Sequence, residues 1–559
     1  MKKILATLLV LAMMLSMLAG CAGETTEVTE ATQAAQATQA ANATEAADNG
    51  EESQELALDA FAGTEITIAV LKYDQDHSTD FSEKIAAKMA EEATGIKVNW
   101  ITVDQSTKDE KTATLLAGDM PDMIIGLVKA DTITSNMSLF YDLSEEGLLE
   151  TYAPDVYDGY VRNGNVFENI TWPDGSICAL ATGSAQNYGG QARGIYFINK
   201  NWLDQLGLDI PNTTEELYEV LCAFRDNDMD GDGDPSNEYP FEFCDTHYAS
   251  KLLQTANFFG IAAETENQLK MGRMVENGEV VSTFDSQAFK DWLEYANLLA
   301  TEGLLDVEGF SQSYEQFCGK LANGQVGVFA GWVPGTYMDA ELADDYVVLG
   351  AVSADGYDYV QTGAYNIYNG GTNCCISANT ENVEACLWYW NYLASDMTMI
   401  YTEGYGEQGI FWDIDENGKY ITKAADEDQI PEGLDADSYK YTLALLGGGI
   451  APLTYTDWCE EYVYVDTTTA GGRGEAVSQT REYLPKDFIP STTKLVDAEV
   501  LEERTYIDTE LQAYIGNFIA NSVMEGLSDE QWEAHLNQLN LVGYDEWMEW
   551  WTNFYNDTF

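Results

Sequence analysis

From Thr64 to Ile125 the chain reads TEITIAVLKYDQDHSTDFSEKIAAKMAEEATGIKVNWITVDQSTKDEKTATLLAGDMPDMII. The stretch from Thr64 to Val70 alternates apolar and polar residues with a period of two, which predicts a β-strand. From Phe81 to Ala93 the period becomes helical and places Ile85, Met89 and Ala90 on one face. The segment from Gly95 to Ile101 reads as a second strand, and the one from Lys108 to Leu116 as a second helix. Gly118 is well placed to stop that helix. Pro121 to Ile125 reads as a third strand. Strands alternating with helices predict an α/β fold in which a parallel sheet carries helices on both faces.

Before this stretch the chain has a different character. Lys2 and Lys3 precede a largely apolar run from Ile4 to Leu18, shorter than the ~20 residues of a membrane-spanning helix and suited to an export signal. Leu18-Ala19-Gly20-Cys21 matches the bacterial lipobox, which implies cleavage before Cys21 and a lipid on its sulfur. Residues 1–21 are therefore expected to be a lipoprotein signal, and the lipid the only membrane attachment. Residues 22–60 are rich in Thr, Ala, Gln and Glu and hold no Lys or Arg, so they are expected to form an acidic, disordered tether.

The rest is too long for one ordinary core, so at least two domains are expected. The 95 acidic and 26 basic residues leave a net charge of −69, which excludes nucleic acid as a natural partner. Only three histidines occur, His77, His247 and His535, widely scattered. That removes most zinc sites and His-based triads. No CxxC motif links the cysteines beyond Cys21; most are expected to be buried small apolar residues, with a disulfide after export left open.

Further along, Tyr141-Asp142-Leu143 precedes an acidic segment ending Tyr152-Ala153-Pro154, and "NWLDQLGLDIPNTTEELYEVLCAF" follows Gly194 to Ile198. "NGQVGVFAGW" (323–332), "GGTNCCIS" (370–377) and "GYGEQGIFW" (404–412) come next, then Trp- and Gly-bearing helices from about 511 to 559. With the opening strands and "LLAGDMPDMI", this ordered series resembles extracellular solute-binding protein family 1, the carbohydrate-binding lipoproteins of ABC importers. The resemblance implies a periplasmic-binding-protein-like fold: two α/β lobes, a hinge crossed more than once, and a ligand cleft between the lobes. Lobe one is placed at 61–180 plus 355–455 and lobe two at 181–350 plus 456–559. Ligand is expected at the carboxyl ends of the strands.

The string "DNDMDGDGDPSNE" from Asp226 to Glu238 puts an oxygen-bearing side chain at nearly every second position, the pattern of a loop curled around calcium. A strict EF-hand starting at Asp226 would need Glu where Asn237 stands. The family often carries its own calcium loop here, and this chain has one residue more than that form. The expected ligands are Asp228, Asp230, Asp232, Asp234 through its carbonyl, Asn237 and Glu238. A metal-free acidic turn is the alternative, although its carboxylates would repel one another.

Sugars offer flat C–H faces ringed by hydroxyls, so their sites pair aromatic platforms with polar groups. Trp332, at the end of a predicted strand, sits where sugar-binding members place a stacking Trp. Trp458, Trp412, Tyr73 and Tyr188 are the further candidates, while Trp388 and Trp390 fall in an expected helix and read as core. No catalytic motif stands out, so a non-enzymatic receptor is expected, monomeric, at the extracellular face of the membrane, with ABC permease subunits as the partners the family implies. A neutral oligosaccharide is the favoured cargo. A peptide or other small solute, a lipid-anchored glycoside hydrolase and a ligand sensor are the alternatives.

Overall fold

The computed structural model describes residues 56–162, 166–185, 195–247, 250–262, 271–361, 368–423, 425–426, 428–447, 450–453, 473–483 and 495–556. The export signal, Cys21, Tyr188 and Trp458 lie outside the described residues, as does most of the expected tether. The tether expectation ran to residue 60, but the packed chain begins earlier. The Trp388 indole donates to the Leu58 carbonyl at 2.8 Å, and Phe61 packs on Trp388 and Tyr152 with ring centroids 6.2 and 6.0 Å apart.

The opening alternation is realised as β1 (Glu65–Lys72), β2 (Lys97–Asp104) and β3 (Met123–Ile125). The helix Ile85–Thr94 connects β1 to β2 and stops at Gly95, whose φ of 68° lies in the left-handed region. A Cβ there would come within 2.6 Å of the Ala62 side chain, so only glycine fits. The stop expected at Gly118 is of another kind, since its φ is −119°.

Beyond these come β4 (Leu180–Ala185), β5 (Ile195–Asn199), β6 (Tyr239–Glu242), the hairpin of β7 (Arg273–Glu276) and β8 (Glu279–Ser282), β9 (Val326–Gly331), β10 (Tyr346–Val348) and β11 (Tyr368–Ile376). The first sheet has the order β2-β1-β3-β11-β4 and the second β10-β5-β9-β6. The sheet expected to be parallel is mixed: β1, β2 and β3 are parallel, but β11 enters antiparallel between β3 and β4. A strand arriving from a distant part of the chain is under no crossover constraint on its direction.

Among the described strands, two successions pass from sheet to sheet. One leaves β4 at its carboxyl end and enters β5 at its amino end; the other runs from the carboxyl end of β10 to the amino end of β11. By the strand pairing, both join the edge where β1, β3 and β4 end to the edge where β6, β9 and β10 end. The carboxyl edges of the two sheets are thereby tied together.

The second sheet is backed by an aromatic core that includes Phe224, Trp202, Trp292 and Phe284. The last three described helices, Ala498–Glu525, Asp529–Leu541 and Tyr544–Tyr555, add Trp547, Trp550, Trp551 and Phe554 to it. His535 is 1% exposed there, stacked 3.9 Å from Phe518, with Nε2 2.9 Å from the Phe284 carbonyl and Nδ1 2.8 Å from the Tyr514 hydroxyl. The first contact needs a donor, so Nε2 carries a hydrogen, and burial disfavours a second proton on Nδ1, which is left to accept from the Tyr514 hydroxyl. Burial pushes the imidazole pKa down from 6.5 to about 4, against the pull of the Phe284 carbonyl. The unfolded chain binds this proton first, so stability is intact above about pH 6.5 and drains as the pH falls toward 4. The loss at the bottom of that window is expected to reach ~2–3 kcal/mol. His535→Gln should flatten that part of the stability–pH profile in urea melts; an unchanged profile would disprove the assignment.

Candidate functional site

On the first sheet's carboxyl edge, Tyr73 follows β1 directly and packs on Tyr441 with centroids 5.1 Å apart. The loop that carries it is fastened by Lys84, whose ammonium reaches the Asp76 carboxylate at 2.9 Å and the carbonyls of Tyr441, Thr442 and Ala444 at 3.2, 3.1 and 2.5 Å. Burial depresses the Lys84 pKa, and the Asp76 charge opposes that. The loop and the helix Ala436–Leu443 therefore form one fixed wall. Gly126 follows β3 with φ 75°, and a Cβ there would press on Ile450 and Leu71 at 3.0 Å.

On the second sheet's edge, Trp332 follows β9 and is half-buried. Its backbone N–H donates to the Tyr337 hydroxyl at 3.0 Å. A Cβ at the preceding Gly331 would meet that hydroxyl at 2.7 Å, so the glycine lets Tyr337 brace the Trp. His247 and Tyr314 stand at the same edge. His247 comes just after β6, and Tyr314 opens the helix Tyr314–Ala322 that leads back into β9. Their rings stack at 4.3 Å and 23°. No local pattern marks this pair, because 67 positions of sequence separate the two rings.

Trp412 does not belong here. It is 0% exposed, its indole donates to the Gly406 carbonyl at 2.8 Å, and the rings of Tyr401 and Tyr420 lie against it at 5.6 and 5.9 Å. A ring enclosed in this way has no face to offer a sugar, so the expectation for Trp412 is corrected to a core residue.

The acidic loop joins the helix Thr214–Arg225 to β6. Asp228 organises it: its carboxylate accepts the N–H of Gly231 at 2.9 Å and of Gly233 at 3.0 Å, and both glycines have left-handed φ, 79° and 96°. Asp228, Asp230 and Asp232 each bring a carboxylate oxygen within 4.8 Å of the others. Asp226 instead pairs with Arg225 at 2.8 Å, so the turn starts at Asp228. The Asp234 carboxylate folds onto the Ser236 hydroxyl and N–H, which hold its pKa below the usual range and leave its carbonyl as the group to offer. Glu238 turns back so that Oε1 accepts the Met229 N–H at 2.8 Å. Its Oε2 and the Asn237 Oδ1 are buried without a hydrogen-bond partner. Three converging carboxylates beside two orphaned buried oxygens fit a hard, oxygen-loving cation.

The family described as bacterial extracellular solute-binding protein matches residues 75–400. The fructooligosaccharide ABC transporter substrate-binding protein FusA of Streptococcus pneumoniae is 26% identical over 258 residues, 45% of this chain and 47% of that protein. The chain spans about half the length of the curated relatives it matches. Among solved structures, an HMO-binding ABC-transporter-associated solute-binding protein from Bifidobacterium longum infantis superposes with a TM-score of 0.73 at 22% identity, covering 88% of this chain and 98% of that one. An EF-hand mutant of S. pneumoniae FusA in complex with fructo-nystose gives 0.74 at 19%, over 88% and 99%. These likenesses establish the two-sheet fold.

Proposed function

The chain belongs to the bacterial extracellular solute-binding protein family, and on that footing we propose that it captures a neutral oligosaccharide outside the cell for an ABC importer, by binding and not by turnover. The observation that carries this reading is Trp332, braced by Tyr337 at the carboxyl edge of the second sheet. Tyr73 stands at the corresponding edge of the first sheet, and Tyr188 and Trp458 remain candidates of the same kind. The two sheets would be the centres of two lobes, with ligand stabilising the closed arrangement through contacts absent from the open one. Likeness to FusA, which binds fructooligosaccharides, supports the sugar assignment.

Lipid attachment at Cys21 would hold this monomeric receptor at the membrane near its permease subunits, and among the described residues no helix is long and apolar enough to cross a membrane. Calcium is assigned to the acidic loop, held by Asp228, Asp230, Asp232, the Asp234 carbonyl, Asn237 and Glu238. It would neutralise the carboxylates and pin the start of β6.

A thermal-shift screen of the full chain against neutral oligosaccharides and short peptides tests this reading, since a ligand that binds only the folded form raises the melting temperature. A glycan should raise it, and Trp332→Ala should weaken that glycan by about 30-fold or more, the ~2 kcal/mol of an aromatic anchor. Shifts with peptides alone would overturn the cargo assignment.

A further inference from the structure

The second sheet's carboxyl edge carries more aromatic surface than Trp332. After β6 the chain makes a tight turn in which the Cys244 N–H donates to the Ser250 carbonyl at 2.7 Å and the His247 N–H to the Cys244 carbonyl at 3.0 Å. This turn holds the His247 imidazole against Tyr314, with Nδ1 3.2 Å from the Ser250 hydroxyl. Tyr314 sits in the first turn of its helix, beyond a Ser313–Gln316 capping box, and so cannot drift with a frayed end. Its ring meets Tyr337 edge-on at 6.4 Å and 73°, and Tyr337 in turn holds Trp332. The rings of His247, Tyr314 and Tyr337 therefore run in contact along one edge, and the Tyr337 hydroxyl ties them to the backbone of Trp332. Tyr337 is 5% exposed, while the other three are only half-buried.

A purely structural stack would be enclosed, as Trp412 is. This one stands where the parallel strands β6 and β9 end, the usual ligand position in open α/β sheets. The His247 imidazole is kept uncharged, since burial and Lys251 push its pKa down to about 4. A flat, neutral, half-buried ring is a face on which the C–H surface of a sugar can stack.

We infer that His247, braced on Tyr314, is a second sugar platform beside Trp332, so that the site grips a chain of neutral sugars at more than one unit. This rests on the oligosaccharide reading above. The test is calorimetric titration of the full chain with malto-, fructo-, xylo- and manno-oligosaccharides of increasing length and with their monosaccharides. For a glycan that binds, His247→Ala and Tyr314→Leu should each weaken the longer forms about 10-fold. Tyr314→Phe, which keeps the stack, should leave them within about 2-fold, and the double variant should lose less than the product of the singles because the two rings act as a unit. His247→Ala carries the test alone if Tyr314→Leu lowers the ligand-free melting temperature. A glycan bound equally well by wild type and both variants would overturn this platform and leave the receptor intact. Response to peptides but to no glycan would remove the platform and the sugar reading together.

Discussion

Calcium at a hundred to a thousand times its dissociation constant is expected to stabilise the chain by about 3–4 kcal/mol over the chelated protein. The expectation rests on the orphaned oxygens of Glu238 and Asn237 and on the converging carboxylates of Asp228, Asp230 and Asp232. Without a cation those charges repel and the buried oxygens forgo their hydration. With one, the loop fixes the entry into β6, the strand that delivers His247 to the cleft edge. Melting curves in calcium and in EGTA measure the difference. Asp228→Ala should bring it close to zero, because that carboxylate also holds the Gly231 and Gly233 amides. Glu238→Gln should shrink it while leaving the EGTA melt nearly unchanged, since the amide oxygen can still accept the Met229 N–H. Superimposable melts of the wild type with and without calcium would refute the metal site.

The other large effect lies further along the same strand. Lys320 is buried between acids: it pairs with Asp306, lies 3.3 Å from Glu242 and 3.6 Å from the exposed Glu308, and sits over the Tyr239 ring at 4.4 Å. The side chains of Glu242 and Asp306 are 0% and 9% exposed. Burial, then the Asp306 charge, lifts the Glu242 pKa to about 8. Burial alone would lower Lys320, but the Asp306 hydrogen bond and the Glu242 charge hold it above its ordinary value. Lys320→Met strands two buried acids and is expected to cost ~3–5 kcal/mol at pH 8.

The pH dependence of that deficit separates a charge effect from lost packing. A carboxyl whose folded pKa is raised keeps its proton longer in the folded state, so its penalty grows as the pH rises from about 4.5 through 8 and vanishes below. The wild type already bears that penalty up to about pH 8, so losing Lys320 adds to it mainly above that value: the difference between variant and wild type should widen between pH 7 and pH 9, and Glu242→Gln in the Lys320→Met background should restore part of the loss at pH 9. A deficit of equal size at both pH values would point to packing alone.

The opening strands were legible because period-two alternation is a local property. β1, β2 and β3 appear within a few residues of where the sequence places them. The antiparallel entry of β11 was not legible, since strand direction depends on where a chain returns from, nearly 200 positions after β4. Among the aromatics, the position of Trp332 at a strand end was legible from the glycine before it and the strand behind it. Trp412 has a glycine nearby too, yet it is enclosed by Tyr401 and Tyr420. The packed start at Leu58 and Phe61 was hidden for the same reason, as their partners Tyr152 and Trp388 lie far along the chain.

The α/β alternation, the excess of negative charge, the oxygen-rich loop and a supply of candidate platforms could all be read from the order of residues. Each of these depends on residue type and on spacings of a few positions. Which rings are enclosed, that His247 and Tyr314 meet, that the Asp228 carboxylate holds the Gly231 and Gly233 amides, and that Glu242 shares one lysine with Asp306 came only with folding. Those outcomes are contacts and desolvation between groups far apart in the chain, and folding alone brings them to the distances at which they act.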